Sequence, residues 1–327
     1  RLQVDKAFAD YRKMLDEVKP DVISVAPRWM DQHRDMVLAA AERGIHVYLE
    51  KPMCQSLAEA DEMVAACERS HVKLVIAHQT RFSPMIPVLR EMIQSGKLGA
   101  ILEFRARGKE DHRGGGEDLW VLGTHVMDLI RLFGGHPQWC FGSVTQKGRP
   151  VQPGDVAEGN EGLGPLAGDA VQAMYRLPDG ATAYFASTRN ARAKQSRFGL
   201  TIHGSAGALE LHTGYLPAVR YLPHGGWGTS RGEKNWIGVS SAGIGKPEPL
   251  TDGGLHAGNL LGVKELLSSI EEQREPNGGV RDALGAAEMI LAVLESHRQN
   301  APVSLPLKNR VHPLAVLSGA AKATDAP

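Results

Sequence analysis

Cysteine is scarce: Cys54, Cys67 and Cys140 are the only three in 327 residues. Odd in number and far apart, they exclude a disulfide framework and a cysteine-based zinc site, and no metal site is expected. Excess charge of either sign is also lacking. Lys plus Arg and Asp plus Glu stand at 37 each, which removes any electrostatic pull towards nucleic acid or an anionic membrane. No apolar run approaches the ~20 residues that span a bilayer. A G-x-G-x-x-G turn between a strand and a helix is missing too. The nearest stretch, Gly162-Leu163-Gly164-Pro165-Leu166-Ala167-Gly168, has the wrong final spacing, is interrupted by proline and runs into strand-like residues. The chain opens at Arg1 and not at a methionine, so it reads as a fragment or processed form, and the lack of a leader says nothing about compartment. The compartment stays open, with a soluble, cytoplasmic protein only slightly favoured.

What is present suffices for two domains with cores, since 42% of the residues are hydrophobic and 23% charged. Asp10 caps a short helix, Tyr11 to Glu17, that stops before Pro20. Asp21 to Ala26 reads as a buried strand ended by Pro27. Gln32 to Arg43 follows as a helix with Gly44 beyond its end, then Ile45 to Leu49 as a second strand. Ser56 and Glu59 form a capping box that opens a helix, and Lys73 to His78 is the third strand. Strand, helix, strand, helix, strand with short connections is one half of a doubly wound parallel sheet. A dinucleotide fold has two such halves, and its glycine fingerprint belongs to the first. That half is expected upstream of Arg1, which leaves one sheet edge unpaired.

Beyond residue 81 the pattern changes. A helix from Ser83 to Gly96 precedes an alternating strand, Ala100 to Gly108. Gly114-Gly115-Gly116 forms a turn before a helix from about Asp118 to Phe133. Leu177-Pro178-Asp179-Gly180 and Gly204-Ser205-Ala206-Gly207 each join two strand-like runs into a hairpin. Residues 223–256 read as one long loop, two helices follow (Asn259 to Gln273 and Asp282 to Gln299), and Val303 to Leu307 is extended. Parallel units first and hairpins later predict two domains, 1–81 and 82–327. The fold class is a partial α/β Rossmann-type sheet, its first βαβ missing, followed by an α+β domain with an open, mainly antiparallel sheet.

The chemistry gathers where the second strand ends. Pro52 cannot donate to a ladder and turns Lys51 away from helical angles, so the strand stops as the charges of Glu50 and Lys51 begin. In open parallel sheets, ligands bind beyond the carboxyl ends of the strands. Taken alone, a Glu-Lys-Pro tripeptide is more often a solvated loop.

In order along the chain stand Val22-Ile23-Ser24-Val25-Ala26-Pro27 with His33 six residues on, Glu50-Lys51-Pro52, and Arg81-Phe82-Ser83-Pro84. Then come Gly114-Gly115-Gly116, Gly123-Thr124-His125-Val126-Met127-Asp128, Ile202-His203-Gly204-Ser205-Ala206-Gly207, Arg274-Glu275-Pro276 with Asp282-Ala283, and Ser304-Leu305-Pro306-Leu307. Together they resemble the Gfo/Idh/MocA family of nicotinamide-dependent sugar and cyclitol oxidoreductases. The resemblance implies a Rossmann domain, an open antiparallel sheet, homo-oligomers joined through that sheet, and NAD or NADP held near Ala26, Pro27, His33, Glu50, Lys51 and Pro52. It implies further that Lys51 sits beside the nicotinamide and bonds the reacting hydroxyl, with His125 as acid/base.

Those roles suit the residues. A histidine with an ordinary pKa of ~6.5 can take a hydroxyl proton near neutrality, and an ammonium stabilises a developing alkoxide. One position departs: the family often places an aspartate four residues before this histidine, where this chain has Val121. Asp118, two helical turns from His125 on one face, is one stand-in, acting through substrate or water across ~10 Å of rise. Asp128, at i+3, is another, orienting the imidazole; a solvated or intrahelically paired Asp128 is the plainer reading. For His33, hydrogen bonding at a helix start outweighs catalysis. Arg81 pairs with a carboxylate at the domain junction, and Trp120 belongs to a sugar pocket or to the core. His112 is a second candidate for shaping that pocket. The function expected is hydride transfer between a small polyol or sugar and the coenzyme. Two alternatives stay open, a redox-neutral enzyme with tightly bound NAD that performs elimination or glycoside cleavage, and a non-catalytic sugar- or partner-binding relative.

Overall fold

The computed structural model describes residues 6–191, 196–227 and 236–323. Its first lobe follows the alternation of the sequence. Helix α1 (Tyr11–Val18), capped by Asp10 through Arg12 N–H at 2.8 Å, leads into β1 (Val22–Val25). Next come α2 (His33–Ala41), β2 (His46–Leu49), α3 (Leu57–Arg69) and β3 (Leu74–Ile76). The three strands pair in parallel in the order β1-β2-β3. Ser56 caps α3 as expected, its hydroxyl accepting from Glu59 N–H at 3.3 Å, while the Glu59 carboxylate takes the N–H of Gln55 instead of completing the box on Ser56. β1 lies at the edge, with Ser24 exposed, whereas β2 and β3 are buried.

The second lobe begins with α4 (Met85–Gln94) and β4 (Ile101–Arg107). Helices α5 (Gly116–Val121) and α6 (Gly123–Gly134) follow. Strand β5 (Trp139–Gln146), the short β6 (Arg149–Pro150), and the paired β7 (Ala157–Glu158) and β8 (Pro165–Leu166) come next. The expected hairpins are β9 (Ala170–Arg176) with β10 (Thr182–Thr188), and β11 (Gly199–Gly204) with β12 (Ala208–His212). After β13 (Val219–Leu222), β14 (Ile237–Ser240) and β15 (Gly243–Ile244) come α7 (Leu255–Glu271), α8 (Val280–Gln299), β16 (Val303–Ser304) and α9 (Pro313–Leu317). The large sheet runs β15-β14-β13-β12-β11-β4-β10-β9-β5-β16, with β6 beside β5, and is antiparallel except where β10 meets β4.

Two expectations need correction. The stretch read as one loop, 223–256, contributes β14 and β15 to the sheet edge. The helix expected from Asp118 to Phe133 is two helices broken at Leu122, whose φ of −117° departs from the helix. Gly123 sits at the break, where a side chain would crowd the Phe185 ring at 3.4 Å and the Asp118 carbonyl at 3.3 Å.

One face of the large sheet carries the main core. Phe104, Tyr175, Phe185, Ile202 and Leu209 pack with Leu129 and Ile130 of α6 and Met289 and Val293 of α8. Tyr175 also donates its hydroxyl to the Met289 carbonyl at 3.0 Å. The chain then returns to the first lobe. Leu266 of α7 packs with Tyr48, Val75 and Ala77, and α8 adds Val280, Ala283 and Ala287 to the core around β2. The two lobes are thereby joined through buried apolar contacts, which hold their facing edges at fixed separation. Among the described residues no helix is long and apolar enough to cross a membrane.

Candidate active site

The first-lobe part of the site is built where β1 and β2 end. His33, the first residue of α2, is fully buried between the two strand ends. Its Nδ1 lies 2.9 Å from the Pro52 carbonyl and its Nε2 2.9 Å from the Pro27 carbonyl. One imidazole thus ties the Ala26-Pro27 end of β1 to the Glu50-Lys51-Pro52 end of β2, so His33 does bond at a helix start, across two loops. The candidates Ala26, Pro27, His33, Glu50, Lys51 and Pro52 are brought to one edge.

Lys51 points from that edge to the second lobe. Its Nζ donates to the Val121 carbonyl at 3.1 Å and lies 3.8 Å from the Glu50 carboxylate. Val121 ends α5, one turn before His125 in α6, so the break at Leu122 presents a free helix-end carbonyl to the ammonium. Burial pushes the Lys51 ammonium below its ordinary range. Arg113 and Arg28 push the same way, and Glu50 and Glu161 oppose them. Arg28, Arg113 and Glu161 also line a cleft of about 1190 Å³ with Trp29, Glu117 and Arg189. That cleft is polar, and three of its charged groups act electrostatically on the Lys51 ammonium. Its mouth is bridged from lobe to lobe by the Arg28–Glu161 ion pair and by Gln55, which donates to the Gly162 carbonyl at 2.7 Å.

His125 is buried on the second-lobe side. Burial drives its imidazole well below 6.5, helped by His78 and Lys51 and opposed by Asp128. A neutral ring can accept a proton, as a general base must. Its neighbours are the rings of His78 at 5.4 Å and Phe198 at 6.4 Å, both edge-on.

Neither aspartate proposed beside His125 takes that place. Asp118 is fully buried, but its Oδ2 accepts from Glu110 N–H at 3.1 Å and from the Ser187 hydroxyl, turning it to the ends of β4 and β10. The shared helix face assumed for Asp118 and His125 does not exist, because the helix is broken between them. Asp128 is gripped by Arg81, whose Nε lies 3.0 and 2.9 Å from its two oxygens and whose Nη2 lies 2.6 Å from Oδ1. The carboxylate is not a solvated helix residue. Beyond that pair its Oδ1 lies 3.4 Å from His78 Nδ1, so it reaches the neighbour of His125 and not His125 itself. Arg81 also meets Asn277 at 2.9 Å and Asp282 at 3.4 Å, which makes it the junction cation anticipated from sequence.

Sequence reading missed His78, although it closes the third strand by the same rule that singled out Glu50 and Lys51. Its Nε2 lies 2.9 Å from the Thr124 hydroxyl. Of the other candidates, Trp120 is fully buried and stacks on His312, so it belongs to the core, whereas His112, its side chain 80% exposed, lines the polar cleft. Among the described residues no group of three His, Cys, Asp or Glu side chains is placed to hold a metal.

The donor set fits the nicotinamide end of a dinucleotide. An ammonium with donors to spare stands beyond the carboxyl ends of parallel strands and acts electrostatically on a neutral imidazole from the second lobe. No described strand-to-helix turn supplies the glycine-rich cradle of a pyrophosphate.

Residues 1–78 match the oxidoreductase family with an NAD-binding Rossmann fold, and residues 87–210 match the GFO/IDH/MocA C-terminal domain. Levoglucosan dehydrogenase of Pseudarthrobacter phenanthrenivorans is 26% identical over 234 residues, 64% of this chain and 60% of that protein. D-xylose 1-dehydrogenase (NADP(+)) 2 of Haloferax volcanii is 28% identical over 155 residues, 44% of this chain and 47% of that protein. The matches thus span less than two thirds of either relative. In structure, levoglucosan dehydrogenase in complex with NADH and levoglucosan superposes with a TM-score of 0.72 at 21% identity, covering 91% of this chain and 84% of the other. That likeness shows the fold. With residues 1–78 and 87–210 matching the two halves of one family pattern in tandem, the chain belongs to the Gfo/Idh/MocA family of oxidoreductases.

Proposed function

We propose that the protein transfers a hydride between a secondary hydroxyl of a sugar, cyclitol or derivative and NAD or NADP. The observation that carries this reading is the setting of Lys51 beside His125: the ammonium is fixed on the Val121 carbonyl, four residues along the chain from a desolvated imidazole on which it acts electrostatically. When bound, the nicotinamide supplies the hydride acceptor. Lys51 holds the substrate hydroxyl and stabilises negative charge as it develops on that oxygen. His125 accepts the hydroxyl proton and returns it in the reductive direction. The first-lobe loops tied by His33 hold the nicotinamide end. The sugar occupies the cleft beneath Arg28 and Glu161, where the exposed Trp29 offers a flat apolar face to a sugar ring. Further support comes from the relatives named above, both of which are sugar dehydrogenases by name.

The test follows reduced-nicotinamide absorbance in the native polypeptide with a panel of sugars and cyclitols and each coenzyme. Lys51→Ala is expected to lower kcat by about 10²–10³-fold, and His125→Ala by about 10²–10⁴-fold. A depressed His125 pKa keeps the base form at mildly acid pH, so the acid limb of the oxidation profile should fall below 6.5. Sugar consumption without net absorbance change would instead favour a redox-neutral reaction on bound coenzyme. Bound coenzyme with no response to any substrate would favour a binding protein.

Assembly as a homo-oligomer through the large sheet belongs to the same reading. The face away from the core carries a cross-strand row, Phe141, Met174, Tyr184, Arg105, Thr201, Glu210 and Arg220, in continuous register. Phe141 and Tyr184 are 40% and 38% exposed, and apolar exposure of this kind on a flat sheet favours a partner surface. Light scattering on Phe141→Lys and the native protein checks it, with a lower mass expected for the variant.

A further inference from the structure

We propose that His78 is a positioning residue for His125, itself held by a hydrogen bond with Thr124 at Nε2 and drawn by the Asp128 carboxylate, without a hydrogen bond, at Nδ1. This rests on the acid/base reading of His125. Asp128 is anchored first, since Arg81 takes both its oxygens and is itself braced by Asn277 and Asp282. An ionised carboxylate can only accept. At 3.4 Å its contact with His78 Nδ1 is attractive when that nitrogen carries the hydrogen. Nε2 is then the acceptor, and the Thr124 hydroxyl donates to it across 2.9 Å. The tautomer and orientation of His78 are thus set from both sides.

His78 passes that order to two consecutive residues of α6. Through Thr124 it holds the turn from which His125 projects. Through its ring it packs edge-on against the His125 imidazole, with centroids 5.4 Å apart and planes inclined by 63°. Phe198 meets the same imidazole from the large sheet's side, and the groups acting on it electrostatically are His78, Lys51 and Asp128. His78 is 1% exposed and lies at the end of β3, so it reaches His125 from the first lobe. The base on one lobe is therefore aimed by a side chain from the other, and aimed only while the lobes are docked.

The test compares the native protein with His78→Phe and Thr124→Val. Phenylalanine keeps a ring edge against His125 but loses both polar contacts. Valine removes only the Thr124 hydroxyl at equal volume, and it keeps the test alive if the phenylalanine variant fails to fold. Ring-nitrogen NMR signals are recorded at neutral pH, with His125→Asn as the assignment control among 13 histidines. Expected are His125 ring signals that shift and broaden in both variants relative to the native protein, more in His78→Phe, as the ring loses its fixed orientation. In turnover, kcat of His78→Phe should fall by about 10–100-fold, with KM unchanged within about twofold. Unchanged His125 signals in both variants overturn the proposal whatever the activity. A native protein that turns over no polyol with either coenzyme defeats the acid/base reading, and the NMR arm still decides whether His78 fixes that ring.

Discussion

Asp118 and Asp128 stand ten residues apart on neighbouring helices, both fully buried, yet their carboxyls are driven in opposite directions. Burial pushes the Asp118 carboxyl up, and the Ser187 hydroxyl and backbone N–H groups of Glu110 and Lys109 only partly offset it. Burial acts on Asp128 in the same sense, but the Arg81 guanidinium and then His78 outweigh it and hold the carboxyl far below the usual range. Neutral donors soften the desolvation of a carboxylate, and a full opposite charge in bidentate contact reverses it. Asp118 is thus a staple between α5 and the ends of β4 and β10, while Asp128 is a fixed negative charge that faces the neighbour of His125.

The largest expected effect comes from breaking the charged end. Arg81→Met leaves Asp128 buried without its cation and should cost about 3–5 kcal/mol of unfolding free energy, read by denaturant titration. A cost near that of a surface substitution would mean that the two ends of the helix pair are held alike. Next, Gly108→Ala attacks the neutral end, because the new Cβ would stand 2.0 Å from Asp118 Oδ2 and 2.8 Å from the Ser187 hydroxyl. Overpacking of this kind should cost about 1–3 kcal/mol, with Lys51 and His125 untouched.

The smallest effect sharpens the contrast through pH. A carboxyl whose folded pKa is raised, as for Asp118, favours the fold only while protonated. Its contribution therefore worsens as pH climbs through the unfolded value of about 3.9 towards the folded one. Asp118→Asn should change stability at neutral pH by about 1 kcal/mol or less and flatten the loss between acid and neutral conditions. The depressed pKa of Asp128 has the opposite sign. Its stabilisation is present above the unfolded value and is lost as pH falls through the folded one. An Asp118→Asn protein that instead loses stability steeply towards neutrality would show that the Ser187 contact, and not burial, governs that carboxyl.

Much of the fold was legible because local chemistry and tertiary need agreed. Apolar runs stopped by Pro27 and Pro52 became β1 and β2, the Ser56 cap opened α3, and the turns at Gly180 and Gly207 closed the hairpins. The exceptions were non-local. Near Leu122 the sequence offers only Gly123, a residue that weakens a helix without ending it; the Phe185 ring of β10, packed over Gly123, accompanies the break. The edge strands β14 and β15 are short and each carries a glycine, and they exist as strands because β13 offers β14 a ladder and β14 offers one to β15.

By itself the sequence determined which groups were available: a lysine before a proline at a strand end, a histidine in a helix, two acids near it, and the order of elements that matches one family. Only the tertiary structure decided how these groups are shared out. It gave Val121, whose side chain lacks the expected carboxylate, a role through its carbonyl, which receives the Lys51 ammonium. It sent Asp118 to Ser187, Asp128 to Arg81, and His78 to the flank of His125. The reason is range: capping and strand termination act over a few residues, whereas the partner of a buried charge is chosen by whichever opposite charge the packed lobes bring within reach.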